Sequence, residues 1–423
     1  MVTGQLGYDG ALMPSSVDQG VIRASADADH ESVVDLVRRL VQIPSRAGID
    51  PYEPIFELME RWLLEHGLRP QRLFDDNNSI GLVCDVQGAQ AGPSYVLDAC
   101  VDTAPFGDER AWRLSPTAGA MLDGWLFGRG SADCKAAVAI FSHIARRLHE
   151  GAARLAGQVT LLFDADEHTG RFAGVKRYFL QPQARKVAGV MIGYPGTEEV
   201  VIGARGFLRA ELTVAGAAAH SGGKAKTTDN AVLKAASLVT ALSHQTLPVE
   251  VDATFPLPPK LTVAAIKGGQ GYTIVPDTCT IAVDVRLTPA FDAAAAAGLL
   301  EEVVDAIDRQ VPSARSTNIH FEESWPAYRL GSESRLGQVL PNVASKVAGR
   351  AIGTKIAGPS NIGNYLATLG VEATAGFGVG YRNLHGIDEC IDVATIPLVQ
   401  ATYHLALLQL LGAPDPDTSP TSC

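Results

Sequence analysis

Apolar residues recur at helical spacing in Ala137, Ile140, Phe141, Ile144 and Leu148, and dominate the short runs Tyr95 to Val101 and Val159 to Asp164. The first pattern marks one face of a helix, and the runs mark buried strands. Further helices are read over Glu31 to Gln42 and Pro54 to His66, so strands and helices alternate as in an α/β sheet with covering helices. Near Arg205 the pattern changes. A strand (Phe207 to Val214), a helix (Asp229 to Gln245), strands around Leu261 to Ile266 and Thr278 to Leu287, and a helix (Asp292 to Arg309) read as an α+β insertion, with the first pattern resuming after about Glu323. The expected division is 28–204 and 324–412 for the main domain and 205–323 for the insertion. Residues 1–27 read as a loose arm and 413–423 as a disordered tail.

A length of 423 residues with 46% hydrophobic content accommodates two domains, or one large core carrying an insertion. A net charge of −11 without a basic tract argues against nucleic-acid binding. No apolar run is read as approaching the roughly 20 residues of a membrane span, and the N-terminus lacks a basic region followed by an apolar stretch, so no membrane association and a cytoplasmic location are expected. The cysteines at 84, 100, 134, 279, 390 and 423 form no paired spacing, which suggests neither a disulfide scaffold nor a zinc finger.

The chemistry is concentrated in a few short runs. Gly124-Trp125-Leu126-Phe127-Gly128-Arg129-Gly130-Ser131-Ala132-Asp133-Cys134-Lys135 delivers a carboxylate from a glycine-rich loop onto the start of a helix. Asp133 alone reads equally as a helix N-cap. Cys100-Val101-Asp102 ends the first buried strand, Asp166-Glu167-His168 follows the second, and Tyr194-Pro195, Ala217-Ala218-Ala219-His220-Ser221 and Leu384-His385-Gly386-Ile387-Asp388-Glu389 come later. Each has a plainer reading: a packed thiol for Cys100, a strand-end cap for Asp102, a surface loop for His168, a pocket wall for Tyr194 and a turn for His220.

In this order the motifs resemble the family of acetylornithine deacetylase, succinyl-diaminopimelate desuccinylase, aminoacylase and carboxypeptidase G, over about Val33 to Leu411. The resemblance implies a metallopeptidase-type α/β catalytic domain, a mixed sheet flanked by helices, with an inserted α+β lid/dimerisation domain and hence a homo-oligomer. It also implies roles. The family's GRG-x-x-D-x-K aspartate bridges two zinc ions, and Asp133 takes its place; Gly268-Gly269, Val275-Pro276-Asp277 and Asp284-Val285-Arg286 match the lid. Glu167 falls on the general base, Asp102 on the residue that orients a ligand, His220 on the lid histidine, and His385 on the last ligand. A carboxylate beside a water activated by the ion can take its proton and return it to a departing nitrogen.

The departures alter that picture. Cys100, His168 and Tyr194 stand where the family has a histidine and two acids, so one ligating carboxylate remains. Sorted by ion, Asp133, His168 and His385 stay together on one, while Cys100 and Tyr194 fall to the other, as second-site or pocket residues. The expectation is one divalent transition metal ion per chain, weakly held, with Mn²⁺ favoured and Zn²⁺, Co²⁺ or Fe²⁺ open. Thr273 and Asn361 replace a lid Asn and a late acid. These changes resemble an outlying branch of the family that replaces an aromatic amine by hydroxyl. The expected activity is metal-dependent hydrolysis of a C–N bond in a small carboxylate-bearing substrate, best read as hydrolytic deamination of an aromatic amine. An N-acyl-amino-acid deacylase or dipeptidase, and a non-catalytic binding protein, are the alternatives. Arg286 and Arg382 are candidate anion partners, Tyr194 or Tyr381 could face a ring, and Asn361 lines the expected pocket.

Overall fold

The computed structural model describes residues 19–152, 155–223, 230–248, 253–313 and 315–412. The chain divides into two compact units: one takes the chain up to Glu199 with Arg335–Gly353 and the chain from Gly376 onward, and the other takes Val200–Ser334 with Thr354–Ala375.

In the first unit five strands lie in the order Gln71–Asp75, Asn78–Gln87, Ala156–Asp164, Gln90–Cys100 and Val187–Ile192. The first two pairings are antiparallel. The Gln90–Cys100 strand runs parallel to both its neighbours. Parallel strands carry their carboxyl ends to one edge of the sheet, where ligands bind in open α/β folds. Cys100, Asp164 and Ile192 end there, so the loops holding Asp102, Glu167, His168 and Tyr194 emerge together. The Gln19–Val41, Ala136–Glu150, Arg335–Ala348 and Ile396–Leu411 helices pack on one another. In the Ala136–Glu150 helix, Ile140, Phe141, Ile144 and Leu148 are buried as their spacing dictates.

A small antiparallel sheet of Ala120–Leu122, Trp125–Phe127, Gly380–Arg382 and Cys390–Asp392 completes this unit. Its tightest turn is Asp123-Gly124, both residues left-handed, as a two-residue hairpin of this type requires.

The second unit is built on an antiparallel sheet in the order Lys260–Gly268, Thr278–Leu287, Gly206–Ala215 and Asn318–Phe321. Thr278–Leu287 alternates buried and half-exposed positions almost throughout. Its inward side chains Ile281, Val283 and Val285 meet Leu238 and Leu242 from the Ala231–Ser243 helix and Leu300 and Val304 from the Ala293–Gln310 helix. The unit also takes in most of the short strands Glu199–Ala204, Tyr328–Arg329, Gly353–Ala357 and Ala373–Ala375, of which Tyr328–Arg329 and Ala375 pair antiparallel with Glu199–Ala204, and the Ile362–Thr368 helix.

Three expectations need correction. Residues 19–27, read as part of a loose arm, are the first turns of the Gln19–Val41 helix, which buries Ile22, Ala26 and Asp29; residues 1–18 and the expected tail at 413–423 lie outside the described residues. The second unit runs on to Ser334 rather than ending at about 323, and recovers Thr354–Ala375, because Tyr328–Arg329 and Ala375 pair with the Glu199–Ala204 strand. Finally, Val393–Leu411 is apolar and long enough, at mean hydropathy 1.3 over 19 residues, to have the composition of a membrane span. It is 72% buried within the protein, as a core helix is.

Candidate metal centre

Asp133 does not cap a helix. It lies in an irregular turn, Ser131–Lys135, with φ −120° and ψ 90°, ahead of the Ala136–Glu150 helix, and the Asp133–Cys134 peptide is cis. Gly130 makes this turn possible: at φ +78° a Cβ would sit 2.3 Å from Thr103 Cγ2. The turn aims the Asp133 carboxylate into the protein, where its Oδ2 lies 2.7 Å from His385 Nε2 and 3.7 Å from His168 Nε2. Ligating atoms of these three residues all lie within 4.8 Å of one another.

Asp102 organises the neighbouring loop. Its fully buried carboxylate accepts the backbone N–H of Glu167 at 3.2 Å and of His168 at 3.0 Å, and lies 3.3 Å from His168 Nδ1. An acceptor on Nδ1 fixes the tautomer whose Nε2 lone pair is free to bind a metal. That Nε2 is buried and has no hydrogen-bond partner among the described residues. An orphaned imidazole nitrogen, an adjoining carboxylate oxygen and a second imidazole make a two-nitrogen, one-oxygen set that fits a divalent transition ion with positions left over. His385, 52% exposed, forms the open side.

Electrostatics agree with the geometry. Burial would push the Asp133 carboxyl up, but His168 and His385 beside it outweigh this and hold it well below the ordinary carboxylate range. Burial would likewise push His168 down, yet Asp102 and Asp133 reverse the shift upward. Glu167 is pushed up to about 7: burial is the largest cause, the charges of Asp133 and Asp102 add to it, and His168 and the Tyr194 hydroxyl oppose it. Tyr194 donates its hydroxyl to Glu167 Oε1. This phenol is therefore committed to Glu167 and the pocket wall, where it also borders a small apolar cavity with Phe141 and Phe377. Gly378 lets the chain pass beneath, since a Cβ there would be 2.1 Å from the Tyr194 carbonyl.

A buried ion pair ties the two ligand loops together. Arg129 Nη1 donates to Glu389 Oε2 at 2.6 Å, Arg129 Nη2 to the His385 carbonyl at 3.0 Å, and the Ala132 N–H to Glu389 Oε1 at 3.1 Å. His385 itself is left-handed, φ 59°, a conformation that a non-glycine residue keeps only when its surroundings hold it.

The other expected site residues are placed differently. His220 belongs to the second unit, exposed on a two-residue strand paired with Ile274–Val275, its Nδ1 accepting the Gly222 N–H. Arg286 also lies there, paired with Asp284 at 2.8 Å and donating to Ser360 Oγ, beside an open cleft of about 340 Å³ bordered by Arg205 and Lys260. Asn361 is not a free pocket residue. It is the N-cap of the Ile362–Thr368 helix, its Oδ1 taken by the Gly363 N–H and the Tyr328 hydroxyl. Tyr381 and Arg382 are consecutive on one strand and so point to opposite faces. Tyr381 lies near Gly196, just after Tyr194-Pro195, whereas Arg382 stacks on Trp125 with its guanidinium 3.9 Å from the ring centroid.

Sequence reasoning overlooked Cys134, whose thiol donates to Asp133 Oδ1 at 2.7 Å. It also overlooked Arg129 and Glu389, although both stood inside the quoted runs. Asp98 and Asp164 are a third omission: both are fully buried without hydrogen-bond partners for their carboxylate oxygens among the described residues. Burial pushes both carboxyls well above the usual range, helped by the charge of Glu167 on Asp98 and of Asp98 on Asp164.

Fold and site together define a hydrolase of the divalent-metal α/β class, with Asp102, Glu167, His168 and Tyr194 on loops at the carboxyl edge of a mixed sheet. Residues 97–409 match the model of peptidase family M20/M25/M40, and the chain belongs to that family. A succinyl-diaminopimelate desuccinylase of Marinobacter nauticus is 26% identical over 393 residues, covering 90% of this chain and 98% of its own. Among solved structures, the dipeptidase Dug1p of Saccharomyces cerevisiae aligns with a TM-score of 0.77 at 13% identity, over 94% of this chain and 99% of its own. The M20 family metallo-carboxypeptidase Sso-CP2 of Sulfolobus solfataricus aligns with 0.73 at 16%, over 89% and 98%. At such identities the structural likeness speaks for the fold.

Proposed function

We propose that this enzyme hydrolyses the aryl C–N bond of a small aromatic amine carrying a carboxylate, with 5-nitroanthranilate and water giving 5-nitrosalicylate and ammonia. The observation that carries the reading is the placement of Tyr194, which stands where the family pattern has a second metal-binding acid and spends its hydroxyl on Glu167. One ion held by Asp133, His168 and His385 then serves the reaction, Mn²⁺ being the favoured metal. When bound, such an ion supplies a Lewis acid that lowers the pKa of water.

The protein's own residues do the rest. Glu167, poised near neutrality, takes a proton from the attacking water and delivers it to the departing amine. Asp102 keeps Glu167 and His168 in place through their backbone N–H groups. Negative charge developing on attack flows into the ring and the para nitro group, so no carbonyl oxyanion has to be stabilised by a second ion. Tyr381 is positioned to border the ring. His220 serves as the lid histidine in the family pattern. The enzyme works as a homo-oligomer in the cytoplasm, acting on a small molecule rather than nucleic acid or membrane. Support for assembly through the second unit comes from its edge strand Lys260–Gly268, exposed along most of its length, with Ile266, Tyr272 and Ile274 also exposed.

A second reading, hydrolysis of an N-acyl amino acid, is favoured by the desuccinylase relative. Product analysis separates the two. Incubation with 5-nitroanthranilate should yield a phenol and ammonia in equal amounts, both abolished in Glu167→Ala. Faster turnover of N-succinyl or N-acetyl amino acids than of the aryl amine would establish the second reading instead.

A further inference from the structure

One face of the small antiparallel sheet carries chemistry that the metal centre does not use. Phe127 stands opposite Cys390 and Cys390 opposite Arg382, while Leu122 stands opposite Trp125, two positions along the strand from Phe127. Directly opposed residues, and residues two apart on one strand, share a face. Leu122, Trp125, Phe127, Cys390 and Arg382 therefore line one side of the sheet, and with Arg113 they border an open cleft of about 310 Å³. Tyr381 precedes Arg382 on the same strand, points to the opposite face and lies near Gly196, so the cleft is not the pocket beside Tyr194.

Two guanidiniums are braced over this face. Arg382 stacks on Trp125 with 3.9 Å between its Cζ and the ring centroid, and Arg113 lies over Phe127 at 5.3 Å. Both arginines are exposed, and neither guanidinium has a hydrogen-bond or ion-pair partner among the described residues. Stacking holds each guanidinium plane and leaves its N–H edge free to receive a carboxylate. The Arg113 backbone is fixed as well, its N–H donating to Asp388 Oδ1 at 2.8 Å. Asp388 and Asp123 also border the cleft, so two positive and two negative side chains meet there. A polyanion gains little from such a balance. A single carboxylate with a hydrogen-bond donor beside it meets both signs, and a flat ring fits against the stacked planes and the exposed Leu122.

We propose that this cleft is a second small-molecule site, apart from the catalytic pocket, which binds an aromatic monocarboxylate bearing an amine or hydroxyl donor. The ligand class follows from the cleft alone, whatever bond the enzyme breaks. Amino- and hydroxy-substituted benzoates both present this edge, so the ligand comes from either the substrate side or the product side of an aryl-amine hydrolysis.

Isothermal titration of the full-length, Mn²⁺-loaded protein with 2-aminobenzoate and with 2-hydroxybenzoate tests the site, with benzamide as the uncharged control. Wild type should take up one equivalent that Arg113→Gln and Arg382→Gln each bind about 10–100-fold more weakly, as the loss of a charge-assisted hydrogen bond requires. Mn²⁺ content and thermal midpoint should stay at wild-type values in both variants, and benzamide should show no binding that depends on either arginine. Tighter binding of 2-aminobenzoate would support the cleft as a substrate-side site, and tighter binding of 2-hydroxybenzoate would support it as a product-side site. Binding unchanged in both arginine variants would place these ligands at the metal or elsewhere and overturn the proposal, as would the absence of binding to wild type. Every readout is binding, so a failure to hydrolyse aryl amines, which would refute the reaction, leaves these outcomes intact.

Discussion

The Arg129–Glu389 pair offers the sharpest test of how the ligand loops are held. Its side chains are 2% and 0% exposed and meet at 2.6 Å, and between them they bond the His385 carbonyl, the Ala132 amide and the Pro105 carbonyl. Truncating either partner strands a buried charge, at a cost of about 3–5 kcal/mol. For a unit of this size that corresponds to a fall in Tm of roughly 10 °C. Because Ala132 precedes Asp133 and the other anchor is His385 itself, metal affinity should fall by about 10–100-fold as well. Thermal unfolding and metal titration of Arg129→Met, Glu389→Leu and the double variant measure both effects. The double variant leaves no uncompensated charge, so it should be more stable than either single. If its destabilisation equals the sum of the two singles, the residues act independently and the clamp does not exist.

Tyr194→Phe removes the hydroxyl that opposes the upward shift of Glu167, so the acid limb of the kcat/KM profile, expected near 7 in wild type with activity rising as pH increases, should move to higher pH; an unmoved limb would detach Tyr194 from the base. His143 is buried and burial holds its pKa down to about 4 from an ordinary 6.5. The unfolded chain therefore binds the extra proton first, and stability that is complete above 6.5 should decline by about 3 kcal/mol as pH falls toward 4. Unfolding midpoints across that window, compared with His143→Gln, check the slope. Asn361→Ala should cost about 0.5–2 kcal/mol as a lost helix cap and leave KM unchanged; a large rise in KM would restore Asn361 to the substrate pocket.

What the sequence discloses follows the range of the interactions involved. Ile140, Phe141, Ile144 and Leu148 announce a buried helix face because their spacing is local, and Asp133, Glu167, His168 and His385 stand in short runs whose neighbours declare them. Arg129 and Glu389 are 260 positions apart, so nothing in either run reveals the other. Cys134 escaped for a different reason. A regular helix start would have pointed it elsewhere, and only the irregular turn brings it to Asp133 and Cys100. Asn361, read as a pocket residue from its place in the family pattern, is also a helix cap, a role visible only once the Gly363 N–H is seen to occupy its oxygen. The Gln19–Val41 helix begins earlier than its composition suggests because buried anchors such as Asp29, bonded to Arg146, Arg147 and Gln400, hold a polar segment against the core.

The most direct test of the central claim is ammonia release from 5-nitroanthranilate by the purified protein with Mn²⁺ added, compared with Glu167→Gln and with metal removed by a chelator. Release that needs both the metal and Glu167, with 5-nitrosalicylate formed in equal amount, is the result expected. No release from protein shown to hold its metal would contradict the account and return the enzyme to acylated amino acids.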